Sequence, residues 1–413
     1  MTTGEIADLQ KKYLMPTYAP GIALVEGSGT TVWDAEGNEY LDFVSGIAVT
    51  NIGHCHPKMV RAVQDQVESL VHVSNLYYNA KQPQLARALA GHSGLPAAKC
   101  FFCNSGAEAN EGLIKLARLW GSDKGRYEII TMRQSFHGRT LATLTATGQE
   151  KVQKGFGPLP EGFVYANFND LESVADAVTS KTAAILVESL QGEGGVIPSE
   201  PGFMAGLRKL CDEKGILLLC DEVQCGMGRT GKWFGFQHYD VQPDAFSLAK
   251  GLGNGFPIGA IVAGEKLSDI FQPGHHATTF GGTPLACSAA LAVIDVIEEE
   301  ELLANAMMMG AYLVEGLCDI ALKHKQWIAG VRGLGLLLGL VLDVPAAPLQ
   351  KKLQEKGMLA LATAGNVLRL LPPLNVSQEE IEQALERIRE ACVELHDEMA
   401  AQSPNPCRCG MGE

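Results

Sequence analysis

The chain has 413 residues, 46% of them apolar, and a formal net charge of −14. That length exceeds one ordinary core, so a large domain with a smaller companion is expected. The acidic balance argues against nucleic acid or an anionic membrane as a partner, and no apolar run is long enough to cross a bilayer.

The opening Met1-Thr2-Thr3-Gly4-Glu5 has neither a basic region nor an apolar signal core, so no secretory address is expected. Residues 21–55 read as hairpins, with turn signals at Gly27-Ser28-Gly29 and Asp34-Ala35-Glu36-Gly37-Asn38. His54-Cys55-His56 invites a metal reading, but adjacent ligands crowd one another and the partner spacings of a zinc site are missing, so no metal is expected. Eleven cysteines cannot all pair, and Cys100, Cys103 and Cys220 sit in apolar runs; this fits reduced thiols in a cytoplasm. From about 57 to 290, helical patterns alternate with apolar strands such as 182–187 and 216–220, which implies a mostly parallel sheet with helices on both faces. Further on, Glu298-Glu299-Glu300-Glu301 is expected to open a solvated helix, and 333–342 to supply one strand. The polar tail Cys407-Arg408-Cys409-Gly410 is expected to be disordered.

Three places in this frame carry chemistry. Cys100-Phe101-Phe102-Cys103 reads as a strand, and Asn104-Ser105-Gly106-Ala107-Glu108-Ala109-Asn110 turns into a helix with Leu113, Leu116, Ala117 and Trp120 on one face and Gly121 at its end. Such a junction points backbone amides at an anion such as phosphate, although a serine there is also a plain helix cap. The apolar run 215–220 ends in Asp221-Glu222, at the carboxyl end of a strand, where open α/β sheets bind ligands. An acid there caps the next turn, or holds a proton on the pyridine nitrogen of pyridoxal phosphate (PLP). The run 243–249 then delivers Lys250 onto a loop with Gly251, Gly253 and Gly255. Strands also end in lysine for solubility alone. A desolvated lysine, however, has the lowered pKa that a Schiff-base nucleophile needs.

The same motifs, in this order, resemble the class III (omega) aminotransferases of fold type I, from about Gly21 to about Ala391. The matching strings are 104–110, Phe136-His137-Gly138-Arg139-Thr140, Gln191-Gly192-Glu193-Gly194-Gly195-Val196, Asp221-Glu222-Val223-Gln224, Gly228-Arg229-Thr230-Gly231, Ala249-Lys250-Gly251 and Thr278-Thr279-Phe280-Gly281-Gly282. Residues 74–79 and 368–374 are typical of the branch that acts on N-acetylornithine. The resemblance implies an α/β fold: a large PLP-binding domain with a mostly parallel sheet over 57–295, and a smaller α+β domain shared by 1–56 and 296–413. It implies that Lys250 holds PLP and moves the proton, that Asp221 pairs with the ring nitrogen, and that Gln224 reaches the ring hydroxyl. Phe136 and Val223 are implied to cover the two ring faces. Ser105, Gly106 and Ala107 are implied to cradle the phosphate, completed by Thr279 of a neighbouring subunit, so that a homodimer is the minimum unit.

The implied substrates pose a physical problem: a terminal amine without a neighbouring carboxylate, then an α-amino acid with one. By resemblance Arg369 takes the carboxylate beside the reacting carbon of glutamate and Arg139 takes the far one, as a guanidinium fork allows. With the terminal amine bound, Arg369 would stand buried and unpaired at a cost of about 3–5 kcal/mol. Glu193 is implied to neutralise it and to swing away for glutamate. The implied reaction is transamination of N-acetylornithine with 2-oxoglutarate. Succinyldiaminopimelate, 4-aminobutyrate and ornithine are alternative donors, an aminomutase is a different reaction on the same lysine, and a non-catalytic relative would usually have lost Lys250 or Asp221. The apolar segment 45–49 lacks the aromatic hydroxyl that grips a free α-amine, which favours an acylated donor. Two departures stand out. Ser189 replaces a usual proline and is expected to loosen the loop carrying Glu193, and 79–83 departs from the common Asn-Glu-Pro form.

Overall fold

A computed structural model describes residues 1–402; the Cys407–Gly410 tail lies outside them. The centre is a seven-stranded sheet in the order Lys99–Cys103, Gly259–Ala263, Ala245–Leu248, Leu217–Asp221, Thr182–Glu188, Glu128–Met132 and Phe163–Ala166. Gly259–Ala263 runs antiparallel to both neighbours, and the remaining pairs are parallel. Every residue of Thr182–Glu188 and Leu217–Asp221 is buried, as continuous apolar runs require. Alternation sends Leu217 and Leu219 to the face covered by Leu113, Leu116 and Ala117 of helix Gly106–Gly121. Leu218 and Cys220 go to the opposite face, against Leu207 and Cys211 of helix Phe203–Lys214. The expected mostly parallel sheet with helices on both faces is therefore present.

The hairpins expected over 21–55 are strands Leu24–Ser28, Thr31–Asp34 and Glu39–Asp42. Asp34 Oδ1 closes the second turn by accepting from the amides of Glu36 and Asn38 at 3.0 and 2.8 Å. Glu39–Asp42 then pairs in parallel with Met358–Leu359, so the two ends of the chain share one sheet. A further four-stranded sheet has the order Ile328–Leu334, Leu337–Leu342, Val367–Leu370, Leu361–Thr363.

Two expectations need correction. The acid run does not open a helix: helix Pro284–Glu299 ends in it, and the next helix, Leu302–Lys323, starts after Glu301 turns left-handed at φ 52°. The run 333–342 is not one strand. Gly335, at φ 55°, reverses the chain between two antiparallel strands, and a Cβ there would meet the Thr230 backbone at 2.5 Å. Period-2 patterning did not reveal this turn because both arms are apolar.

One buried cation ties these parts together. Arg229 is fully buried; its Nη1 donates to the carbonyls of Leu336 (3.1 Å) and Pro372, and its Nη2 donates to Asn51 Oδ1 at 2.6 Å. Three stretches remote in sequence thus meet on one guanidinium, whose pKa burial lowers to about 9.

Candidate active site

The strands Glu128–Met132, Thr182–Glu188, Leu217–Asp221 and Ala245–Leu248 end at one edge of the sheet, and the loops beyond them wall a cavity of about 400 Å³. Ser105, Gly106, Phe136, Asp221, Val223 and Lys250 are among its lining residues. Two residues past its strand, Lys250 takes a left-handed backbone at φ 46°, uncommon for a side-chain-bearing residue and a form of strain that clusters at functional sites. Its amine makes no hydrogen bond or ion pair among the described residues. Burial lowers its pKa, opposed by the charge of Glu193 and assisted by that of Arg369.

Asp221 is held by three donors. Its Oδ2 accepts from His137 Nδ1 and Asn110 Nδ2, each at 2.7 Å; its Oδ1 accepts from the Val223 amide at 3.0 Å, and Ser247 Oγ lies 3.4 Å from it. Asn110 is itself fixed, donating to the His137 carbonyl at 2.9 Å and accepting from Ser247 Oγ at 2.7 Å. Beside Asp221, in the neighbouring strand, lies Glu188, buried and facing the same cavity. Burial, and after it the charge of Asp221, pushes the Glu188 pKa well up, while the Phe136 amide donates to its Oε2 at 3.3 Å.

At the far end, Ser105 Oγ caps helix Gly106–Gly121 by accepting from the Glu108 amide at 3.2 Å. The plain capping role is therefore real, and the serine hydroxyl hydrogen stays free to donate. The amides of Gly106 and Ala107, in the first turn, have no acceptor within the helix and line the cavity. A Cβ at Gly106 would come within 2.8 Å of Val223 Cγ1, so a larger residue there would have to displace the Val223 side chain. These features fit PLP: amides for a phosphate, an acid for the ring nitrogen, Val223 and Phe136 for the ring, and an unengaged lysine amine.

Arg369 is wholly buried behind Glu193 and Gln224, on strand Val367–Leu370. Its Nη1 donates to Glu193 Oε1 at 2.6 Å and to Gln224 Oε1 at 3.2 Å, while Nε and Nη2 have no partner. Burial raises the Glu193 pKa, but Arg369 outweighs it and the net shift is downward. Gln224 is thus engaged with the arginine pair and also donates to Glu193 at 3.5 Å. Glu193 rides a loop, 192–196, between the short strands Leu190–Gln191 and Ile197–Pro198, a hairpin that sequence patterning missed because each strand is two residues long. Arg139 is exposed at the cavity mouth, over the Phe136 ring at 5.4 Å. Thr279 is exposed and outside this cavity of its own chain.

Ser189 does not loosen the base of that hairpin. Its hydroxyl donates to Glu222 Oε1, and its carbonyl accepts from the Ser199 amide and hydroxyl at 3.2 and 2.8 Å. Glu222 also accepts from the amides of Gly235 (2.6 Å) and Phe236 (3.0 Å). The residues of the suspected metal cluster go elsewhere: His54 pairs with Asp42 at 2.7 Å and His56 with Glu300 at 2.9 Å.

Residues 15–392 match the family described as aminotransferase class-III. The acetylornithine aminotransferase of Caldanaerobacter subterraneus subsp. tengcongensis is 51% identical over 94% of this chain and 98% of its own length. Among solved structures, N-acetylornithine aminotransferase from Stenotrophomonas maltophilia K279a aligns with a TM-score of 0.82 at 37% identity, covering 96% of this chain and 100% of that one. Ornithine aminotransferase from Toxoplasma gondii, which has PLP at partial occupancy in its active site, aligns at 0.93 and 32% identity over 97% and 96%.

Burial raises the Glu222 pKa to about 7 against three donors that pull it down. The folded protein then keeps a proton that the unfolded chain releases near 4.5. Glu222 therefore favours folding most below pH 4.5, and that contribution fades as pH rises to about 7. Glu222→Gln is expected to flatten this part of the stability–pH curve, read as urea midpoints between pH 5 and 8, and an unchanged slope would refute the assignment.

Proposed function

The chain belongs to the class-III aminotransferases, PLP enzymes, and we propose that it moves an amino group between N-acetylornithine and 2-oxoglutarate, giving N-acetylglutamate 5-semialdehyde and glutamate. The observation that carries this reading is the Arg369–Glu193 pair: a wholly buried guanidinium paired with a half-buried loop acid, with two nitrogens still unpartnered. That is what a site needs if it must accept both an amine without a neighbouring carboxylate and an amino acid with one. The relatives near 50% identity, named acetylornithine aminotransferase, support the donor. So does Val49 in the cavity wall, which offers nothing to a free α-ammonium.

Bound PLP supplies a carbonyl for the amine and an electron sink for the carbon that loses its proton. Lys250 Nζ holds the cofactor and then carries that proton, since a desolvated amine is neutral at lower pH than a solvated one. Asp221, locked by His137 and Asn110, offers a carboxylate oxygen to the ring nitrogen. Phe136 and Val223 confine the ring between them, and Gln224 lies within reach of its hydroxyl edge. The Ser105, Gly106 and Ala107 cradle orients the phosphate end. Arg139, at the mouth, takes the far carboxylate of either substrate. Glu193 stays on Arg369 for the acylated donor and gives up that place to the α-carboxylate of glutamate.

Thr279 reaches the cradle of a second copy in this reading, so the working unit is a homodimer. Its exposure supports this, together with the exposed apolar residues Leu76, Tyr77, Tyr78 and Phe280. We also assign the seven-stranded sheet and its helices to a large domain, and the sheets formed by the two ends of the chain to a small one. A cytoplasmic location fits the nine described cysteines, all unpaired.

Three outcomes are expected. Given singly to the PLP-loaded protein, N-acetylornithine should discharge the cofactor band faster than succinyldiaminopimelate, ornithine or 4-aminobutyrate, and 2-oxoglutarate should restore it; another winner would displace the named donor. Glu193→Gln should slow the N-acetylornithine half-reaction by about tenfold or more and the glutamate one much less. Equal losses in single-turnover kinetics would sink the exchange of carboxylates. Thr279→Ala should weaken PLP retention in equilibrium dialysis several-fold, and undiminished retention would remove the shared cradle.

A further inference from the structure

The loop carrying Glu193 has a cavity on each side. One is the site described above. The other, of about 580 Å³, is walled by Gln149, Glu150, Lys151, Arg332 and Asn366, and Glu193 belongs to both walls. Arg332 is half-buried on strand Ile328–Leu334, and its Nε donates to the Gly195 carbonyl at 2.8 Å. Its Nη groups make no hydrogen bond, and it has no carboxylate partner among the described residues. Burial lowers its pKa with no neighbouring acid to offset the shift. Glu193 thus belongs to the wall that the two cavities share and is paired with Arg369, while Arg332 in the second wall has no acid partner among the described residues.

We propose that Arg332 receives the Glu193 carboxylate when a substrate carboxylate replaces it on Arg369, so that the second cavity is the resting place of the displaced acid. This rests on the exchange of carboxylates proposed above and names where the acid goes. A half-buried carboxylate that loses its partner needs another cation or full hydration. Lys151 and Glu150, on the same wall, are exposed and screened by solvent. Arg332 is instead attached to the loop two residues beyond Glu193. The loop backbone is pinned on both sides, since Thr363 Oγ1 donates to the Glu193 carbonyl at 3.0 Å and Arg332 holds Gly195. The move is then a side-chain rotation, not a loop displacement. Each state keeps the buried Arg369 facing one anion and Glu193 facing one cation.

The test uses the full PLP-loaded chain and 2-oxoglutarate as the probe. In Arg332→Met, the calorimetric Kd for 2-oxoglutarate is expected to weaken about three- to tenfold, while the half-reaction with N-acetylornithine keeps its rate. Arg332→Lys, which keeps the charge, should recover part of the loss, and in a Glu193→Gln background Arg332→Met should change the Kd little. A Kd unchanged by Arg332→Met, or an equal fall in both measurements, overturns the proposal. So does a crystal structure with 2-oxoglutarate in which Glu193 points away from Arg332. If Glu193→Gln is selective for N-acetylornithine and Arg332→Met leaves the Kd alone, only the docking on Arg332 falls. If Glu193→Gln is unselective, the exchange itself falls with it.

Discussion

Arg369 is removed entirely from water and paired with an acid, and the site is arranged around that pair. Its strand is fixed in the C-terminal sheet by pairing with Gly339 on one side and Leu361 on the other. The cation cannot move out to solvent, so the anion has to come to it. Glu193 does so on a short hairpin whose base is fastened by Ser189 and Ser199. Gln224, one turn beyond the end of the Asp221 strand, bonds to both members of the pair and connects them to the cofactor side of the cavity.

The sheet edge solves a second problem, that of placing several acids together without letting them all ionise. Glu188 and Asp221 are side by side in register, and Glu222 follows at once. Asp221 receives three donors: His137, the Val223 amide and an asparagine that Ser247 holds in place. Glu188 has no cation in contact and is pushed toward its neutral form by burial and by Asp221. Glu222 faces away from the cavity into a nest of backbone amides. Burial thus pushes Glu188 and Glu222 toward their neutral forms, while Asp221 faces the cavity among its hydrogen-bond donors.

Much of this was legible before any coordinates. Lys250, Asp221 and the 104–110 junction could be read because each breaks an apolar run with a single functional group at a strand end. Asn110, His137 and Ser247 were passed over as participants, yet each left a signal: a polar residue inside an otherwise buried helix, loop or strand. Ser189 was misread for a different reason. Comparing it with proline captured the stiffness lost but not the hydroxyl gained, and the partner of that hydroxyl lies 33 residues away. Arg332 carried no local cue at all, because its meaning depends on a loop more than 130 residues earlier.

The pairing of Leu41 with Met358 has a consequence for how the chain is made. About 320 residues separate these partners, and synthesis at about 5–20 residues per second puts roughly 15–60 s between their appearances. Throughout that interval the strand Glu39–Asp42 has Thr31–Asp34 on one side and an open edge on the other. All seven strands of the large sheet, which span 99–263, are therefore synthesised before Met358 exists to cover the edge of Glu39–Asp42.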